Sequence, residues 1–125
     1  MTTISCGTQA AEVTIPGTIL TSPNYPNYYD NNLECTTVVR FPPGELIQLE
    51  FLDFELESGS DWLEIRDGDN AYANQIGSRL SGVQNPGSII SSGNALYLHF
   101  LTDGSVKERG FKIKAVVAGK IRHIK

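Results

Sequence analysis

The chain has 125 residues and a formal net charge of −4. A chain of this length fits one domain with a single hydrophobic core, because it buries roughly two thirds of its unfolded surface on folding. The acidic balance argues against nucleic acid or an anionic membrane surface as a partner, since both attract clustered Lys and Arg. No apolar run approaches the roughly 20 residues that a membrane-spanning helix needs, so no transmembrane segment is expected.

The two cysteines, Cys6 and Cys35, are too few for a cysteine-only zinc site and lack the spacing of a redox motif. We favour a single disulfide, which would close a long loop and imply an oxidising compartment. Two free buried thiols are the alternative.

The first half of the chain predicts short strands separated by turns. Residues 22–32 are rich in Pro, Asn and Tyr, which exclude helix and favour a structured loop. Residues 35–41 then predict a strand, and Pro, Pro and Gly at 42–44 a turn. In the long strand that follows, the apolar phase slips by one residue, which predicts a bulge or a sheet crossover near Phe51. The apolar positions are Ile47, Leu49 and Phe51 before the slip, and Leu52, Phe54 and Leu56 after it.

The second half continues the same pattern. Strands are expected at residues 61–67, 88–91, 94–101 and 110–117, with a weaker one at 76–80. No segment shows a sustained helical period, so the sequence predicts an all-β, antiparallel two-sheet β-sandwich. We expect residues 1–5 to form an N-terminal arm, residues 6–118 the domain, and residues 119–125 a tail.

An acidic turn separates two of these strands. The five residues from Glu57 to Asp61 include no apolar side chain and place two carboxylates close together. Repulsion between them suggests a cation at this turn. The plainer interpretation is a pair of solvated acids, which is the usual state of surface carboxylates.

Six sequence blocks resemble the CUB domain, an extracellular β-sandwich module of complement proteases, tolloid-type proteinases, cubilin and spermadhesins. The resemblance runs from Cys6 to about Val117 and implies a jelly-roll-like sandwich in a secreted protein or in the extracellular portion of a larger one. The blocks are Cys6-Gly7, the S-P-N-Y-P of residues 22–26, N-L-E-C at 32–35, D-W-L-E-I-R-D-G at 61–68, S-S-G-N at 91–94, and F-L-T-D at 100–103 with Gly110-Phe111.

In many CUB domains three acids from two loops bind calcium, and the resemblance places them at Glu57, Asp61 and Asp103. It also implies that Tyr28 orients the acidic site. Gly104 and Ser105 would be available to add a backbone carbonyl to the metal. Three carboxylates exceed the charge of Ca²⁺ by one unit, which implies a protein partner that presents Lys or Arg.

The chain departs from the family at a second disulfide that many members have. Ser, Gly and Ser occupy residues 58–60, and Ser81-Gly82 stands where a Cys-Gly is common. This predicts a less rigid acidic turn.

Other polar motifs give weaker signals. Residues 67–70 imitate the start of an EF-hand loop, but the sixth position is Tyr72 and the twelfth is Ser78, so we expect a polar turn. His99 alternates with Leu98 and Phe100 and is expected to face solvent. No catalytic triad, phosphate loop or zinc motif occurs, so a non-enzymatic module is expected.

Two alternatives to a calcium-dependent module stay open. One is calcium-independent binding of carbohydrate or protein through exposed aromatic side chains. The other is a purely structural spacer. The candidate aromatic residues are Tyr25, Tyr28, Tyr29 and Tyr72.

Overall fold

The computed structural model describes residues 2–7 and 11–120, and these fold into two packed β-sheets. The five-stranded sheet has the order β1-β3-β9-β5-β7, and the four-stranded sheet has the order β2-β4-β8-β6. The strands are β1 (Thr2–Thr3), β2 (Ala11–Val13), β3 (Ile19–Thr21), β4 (Glu34–Arg40), β5 (Glu45–Glu55), β6 (Trp62–Arg66), β7 (Ser88–Ile90), β8 (Ala95–Leu101) and β9 (Gly110–Lys120). The predicted all-β sandwich is confirmed. Two pairings near the N-terminus, β1 with β3 and β2 with β4, are parallel.

The predicted irregularity in the long strand is a bulge rather than a crossover. Strand β5 pairs with β9 along its length, and the register shifts between Phe51 and Asp53. Alternation places Phe51 and Phe54 in the core, whereas Leu52 is 51% exposed. Leu52, one of the apolar positions after the phase slip, faces solvent because the bulged residue leaves the ladder and turns outward.

Both sheets contribute side chains to one core. Phe100 of β8 contacts Tyr29 and Phe111 of β9 edge to face, with ring centroids 5.2 and 5.1 Å apart. All three rings are fully buried. Tyr29 lies in the loop before β4, so this stack ties that loop to both sheets. The stack lies beneath the end of the sandwich where the acidic residues gather.

Cys6 and Cys35 form a disulfide, which excludes the alternative of two free thiols. The N-terminal segment is more structured than the predicted arm: Thr2 and Thr3 pair with β3, and Ser5 bridges to Thr36. These backbone groups pair with the sides of β3 and β4 that face away from β9 and β8.

The remaining segment boundaries also shift slightly. Strand β9 continues to Lys120, two residues beyond the predicted domain end at 118, because Gly119 and Lys120 still pair with the start of β5. Residues 121–125 of the predicted tail lie outside the described residues. The weak strand expected at 76–80 is reduced to one isolated bridge, which joins Leu63 and Leu80. Among the described residues, no helix has the length and apolarity to cross a membrane.

Candidate metal centre

Three carboxylates meet at one end of the sandwich. Glu57 follows β5, Asp61 immediately precedes β6, and Asp103 follows β8. These strands belong to both sheets, so residues distant in sequence converge only in the folded chain. One carboxylate oxygen from each acid lies within 4.8 Å of the others. The three predicted acids therefore form one cluster.

Asp61 is the buried centre of this cluster, with no exposed surface. Its Oδ2 accepts a hydrogen bond from the hydroxyl of Tyr29 at 2.5 Å, and its Oδ1 accepts one from the backbone N–H of Asp103 at 2.9 Å. Burial raises the pKa of Asp61, while these hydrogen bonds act in the opposite direction. The backbone bond also links the two loops that carry acids.

Glu57 contributes an oxygen without a partner. Its Oε1 is buried and has no hydrogen-bond partner among the described residues. Burial, and then the nearby carboxylate of Asp103, raises the pKa of Glu57. A buried carboxylate oxygen that lacks a donor carries a large desolvation penalty. Among the described residues Glu45, at the other end of β5, has a second such oxygen, but only that of Glu57 belongs to a cluster of three acids.

The tyrosine that orients the cluster is Tyr29, so the assignment to Tyr28 is wrong by one position. The Tyr29 hydroxyl donates to Asp61 and accepts the backbone N–H of Glu57 at 3.1 Å. Burial, and then the hydrogen bond to Asp61, raises its pKa. Tyr28 is 59% exposed. The loop is irregular and has no strand alternation, so adjacent tyrosines could not be separated by sequence pattern.

Backbone contacts fix the loop that carries Asp103. The N–H of Asn32 donates to the carbonyl of Asp103 at 2.8 Å. The N–H of Ser105 donates to Oδ1 of Asp103 at 3.1 Å. Ser105 thus orients the Asp103 carboxylate through its amide. Gly104 is exposed in the same loop. A carbonyl contribution from Gly104 or Ser105 to a metal stays a prediction.

A residue that sequence analysis did not assign lies beneath the acidic turn. The Ser81 hydroxyl accepts the N–H of Gly59 at 2.9 Å and lies 2.7 Å from the carbonyl oxygen of Asp61 and 3.0 Å from that of Glu57. Hydrogen bonds of Ser81 thus connect the acidic turn to the segment around residue 81, where many CUB domains have a disulfide. The only sequence signal was the departure from the family pattern.

The EF-hand-like segment forms a polar turn at the opposite end of β6. Asp67 accepts hydrogen bonds from the N–H and the hydroxyl of Ser92, at 3.0 and 2.6 Å. Asp69 pairs with Arg40 at 3.2 Å. The Asn70 amide, and then Arg40, lower the pKa of Asp69. Both acids therefore already have partners.

His99 is less exposed than predicted. Its ring lies 3.0 Å from a carboxylate oxygen of Glu34 and 3.4 Å from one of Glu64, and the side chain is only 19% exposed. Neighbouring strands β4 and β6 supply these acids, and their long side chains cover the ring.

The four candidate aromatic residues do not share one environment. Tyr72 is 96% exposed and Tyr28 is 59% exposed. Tyr25 is half-buried and donates to Asp53 at 2.6 Å, while Tyr29 is fully buried. Tyr28 and Tyr72 are therefore the exposed members of the set, and the ring of Tyr29 is closed to a ligand.

A family model described as CUB domain matches residues 6–114, and the chain belongs to the CUB domain family. A CUB domain is a non-catalytic module, which confirms the expectation that the chain is not an enzyme.

Several known proteins contain a similar segment. Cubilin of Rattus norvegicus is 43% identical over 104 residues, which are 79% of this chain and 3% of cubilin. Tolloid-like protein 1 of Mus musculus is 38% identical over 101 residues, 78% of this chain and 10% of that protein. The human tumor necrosis factor-inducible gene 6 protein is 41% identical over 107 residues, 82% of this chain and 38% of that protein. The chain thus spans a minor part of each relative.

Solved structures show the same architecture. The MASP-1 CUB2 domain bound to Ca²⁺ superposes with a TM-score of 0.75 at 25% identity, covering 85% of this chain and 96% of that one. The full extracellular region of zebrafish Gpr126/Adgrg6 gives a TM-score of 0.78 at 29% identity, covering 92% of this chain and 15% of that one.

Proposed function

We propose that this CUB domain binds Ca²⁺ through Glu57, Asp61 and Asp103 and uses the loaded site to recognise a protein. The observation that carries the proposal is the convergence of three carboxylate oxygens within 4.8 Å. The unpartnered Oε1 of Glu57 supports it, because a bound cation would supply the missing positive charge. The structural similarity to a CUB domain bound to Ca²⁺ supports the choice of ion.

The donor set suits Ca²⁺ better than zinc or magnesium. All three side chains offer hard oxygen ligands, whereas zinc sites commonly include nitrogen or sulfur. Ca²⁺ accepts irregular arrangements of six to eight oxygens, which fits acids carried on two loops. Water and a carbonyl of Gly104 or Ser105 would complete the shell. The ion would offset the mutual repulsion of the acids.

The partner side chain that fits the loaded site is Lys or Arg. The three acids carry one more unit of charge than Ca²⁺ offsets, and a cationic side chain would pair with this surplus in a charge-assisted hydrogen bond. We place the module in a secreted protein or in the extracellular portion of a larger one. Its disulfide supports this placement, because disulfides persist in oxidising compartments.

A calcium titration followed by thermal unfolding tests the metal assignment. Binding to the folded state alone should stabilise the wild type by about 1.4 kcal/mol at tenfold over Kd, with Kd on the order of 0.1 to 1 mM. Asp103→Ala should abolish this shift, because it removes one charge and one ligand. Asp69→Ala is the matched control, since Asp69 already pairs with Arg40, and it should retain the shift.

A wild type without any shift at millimolar calcium would refute the metal assignment, as would a full shift in Asp103→Ala. Calcium-independent binding through Tyr28 and Tyr72 would then take its place.

The partner chemistry is tested separately with a capped Gly-Lys-Gly peptide and its norleucine counterpart. In NMR titrations, the lysine peptide should shift the amide resonances of the acidic turn only when calcium is present. The norleucine peptide should leave them in place. Equal responses to both peptides would refute recognition of a cationic side chain.

A further inference from the structure

A short segment crosses the base of the acidic turn. This segment, residues 80–83, is called the strap. At one end, Leu80 and Leu63 exchange backbone hydrogen bonds of 2.9 Å at the start of β6. At the other end, the carbonyl of Gly82 accepts the N–H of Leu56 at 3.0 Å, just beyond β5. The strap therefore connects the two strands that flank the turn.

Ser81 lies in the middle of the strap and is the point where the turn is attached to it. Its hydroxyl oxygen accepts the N–H of Gly59, at the apex of the turn. A hydroxyl has a single hydrogen, and the shorter distance, 2.7 Å to the carbonyl of Asp61 against 3.0 Å to that of Glu57, favours donation to Asp61. One side chain thus contacts the backbone of both acids and of the glycine between them.

We infer that Ser81 is a positioning residue for the cation site: together with the backbone hydrogen bond of 3.1 Å from the N–H of Asp61 to the carbonyl of Glu57, it holds the separation of these two acids before an ion arrives. This inference rests on the calcium site proposed above. The backbone carbonyls that Ser81 contacts belong to the two acids themselves, so movement of either backbone would displace a carboxylate. Gly59 has a φ of 76°, a left-handed conformation that a free turn would readily leave. Ser81 therefore removes conformations that calcium binding would otherwise have to select against.

The strap also explains why a hydroxyl is sufficient at this position. Gly82 has a φ of 75°, and a Cβ atom added there would lie 3.6 Å from the Cβ of Ser58. The strap therefore passes so close to the turn that one added carbon atom would touch Ser58. This proximity is what allows one short side chain to reach three backbone groups of the turn.

The test compares calcium affinity and calcium-free stability in Ser81→Ala, Ser81→Thr and Ser58→Ala. Ser58 is the matched control, because it is an exposed serine in the same turn. Losing the hydroxyl should raise the calcium Kd about threefold to tenfold, the range expected for one net hydrogen bond. Ser81→Thr should restore the wild-type Kd, and Ser58→Ala should leave it unchanged. If Ser81→Ala acted only through a general loss of packing, its unfolding temperature would fall and Ser81→Thr would not recover the wild-type calcium Kd. That result would overturn the inference.

Two outcomes separate this inference from the proposed function. If the wild type binds no calcium, the metal site fails and the inference with it. If the wild type binds calcium and Ser81→Ala binds it equally well, the inference alone is overturned.

Hydrogen exchange of the wild type provides a second measurement in case Ser81→Ala does not fold. The amide of Gly59 should be protected in calcium-free buffer, since it donates to Ser81. Exchange at the rate of an unstructured peptide would overturn the inference.

Discussion

Two acidic turns flank strand β6, and they differ in what their carboxylates contact. At the start of the strand, three acids converge and one buried oxygen of Glu57 has no partner among the described residues. At its end, Asp67 is bonded to Ser92 and Asp69 to Arg40. The pKa of Asp61 is raised by burial, whereas that of Asp69 is lowered by its partners. The two turns therefore differ less in their number of acids than in whether those acids converge without a counter-charge, which is the feature on which the proposed cation site depends.

The largest expected effect comes from a matched pair of substitutions. Asp61 and Asp67 each accept one bond from a backbone N–H and one from a hydroxyl, but only Asp61 is fully buried. Asp61→Ala leaves the buried Tyr29 hydroxyl and the part-buried N–H of Asp103 without their acceptor and should lower the free energy of unfolding by about 2 to 4 kcal/mol. Asp67→Ala, with solvent available to Ser92, should cost about 1 kcal/mol or less. If urea denaturation showed equal losses in the free energy of unfolding for Asp61→Ala and Asp67→Ala, burial would not be what distinguishes the two turns.

The second prediction separates the adjacent tyrosines. Tyr29→Phe removes the hydroxyl that connects Asp61 to the backbone of Glu57. It should destabilise the calcium-free protein by about 1 to 2 kcal/mol and weaken calcium binding severalfold. Tyr28→Phe, at an exposed ring, should change stability by less than about 0.5 kcal/mol. If Tyr28→Phe weakens calcium binding more than Tyr29→Phe, the corrected assignment is wrong.

The third prediction uses the opposite pKa shifts of the two turns. A carboxyl whose folded pKa is raised favours folding at low pH, and this contribution is lost as pH rises from the ordinary value of 3.8 through the folded pKa. Calcium-free wild type should therefore gain stability relative to Asp61→Asn as pH falls through that window. Relative to Asp69→Asn, the wild type should instead lose stability as pH falls from the ordinary value of 3.8 through the lowered folded pKa of Asp69, because the stabilising charged form is then protonated. Parallel pH profiles for both variants would contradict the comparison.

The smallest expected effect tests whether the neutralisation of Asp69 by Arg40 is all that distinguishes the two turns. Arg40→Gln removes the ion pairs with Glu12 and Asp69, which are exposed. The unfolding temperature should fall only slightly, because exposed ion pairs contribute little. No new calcium response should appear, since the oxygens of Asp67 stay bonded to Ser92. A calcium-dependent shift added by Arg40→Gln would show that Arg40, rather than geometry, prevents metal binding there.

The sequence was sufficient for features that depend on pattern and spacing. Alternating apolar residues in β5, β6 and β8 predicted the sandwich. The blocks that resemble CUB domains identified Glu57, Asp61 and Asp103 as the candidate ligands. The disulfide was favoured because two cysteines excluded most alternatives. These features are encoded within short segments or by residue type, so one sequence is enough to recognise them.

The sequence was insufficient where long-range contacts decide the structure. Nothing local distinguishes Tyr28 from Tyr29 in a loop without periodicity, and the stack with Phe100 selects the latter. Ser81 is about twenty residues from the turn it supports, so its role depends on the path of the strap. Leu52 faces solvent because a bulge reverses the direction of one side chain, and periodicity alone cannot show which residue is bulged.

Strand β9 has a mechanical consequence for the acidic end. It lies between β3 and β5, and its backbone hydrogen bonds run across the strand direction. Tension applied to the chain at Lys120 would act along the strand and load these bonds together in shear, instead of opening them one at a time. Lys120 pairs with Glu45, whereas Gly110, at the other end of β9, pairs with Glu55 near the acids. A pulling force at Lys120 would thus be shared along the whole ladder from Glu45 to Glu55, so the pairs near the acids would carry only part of the load.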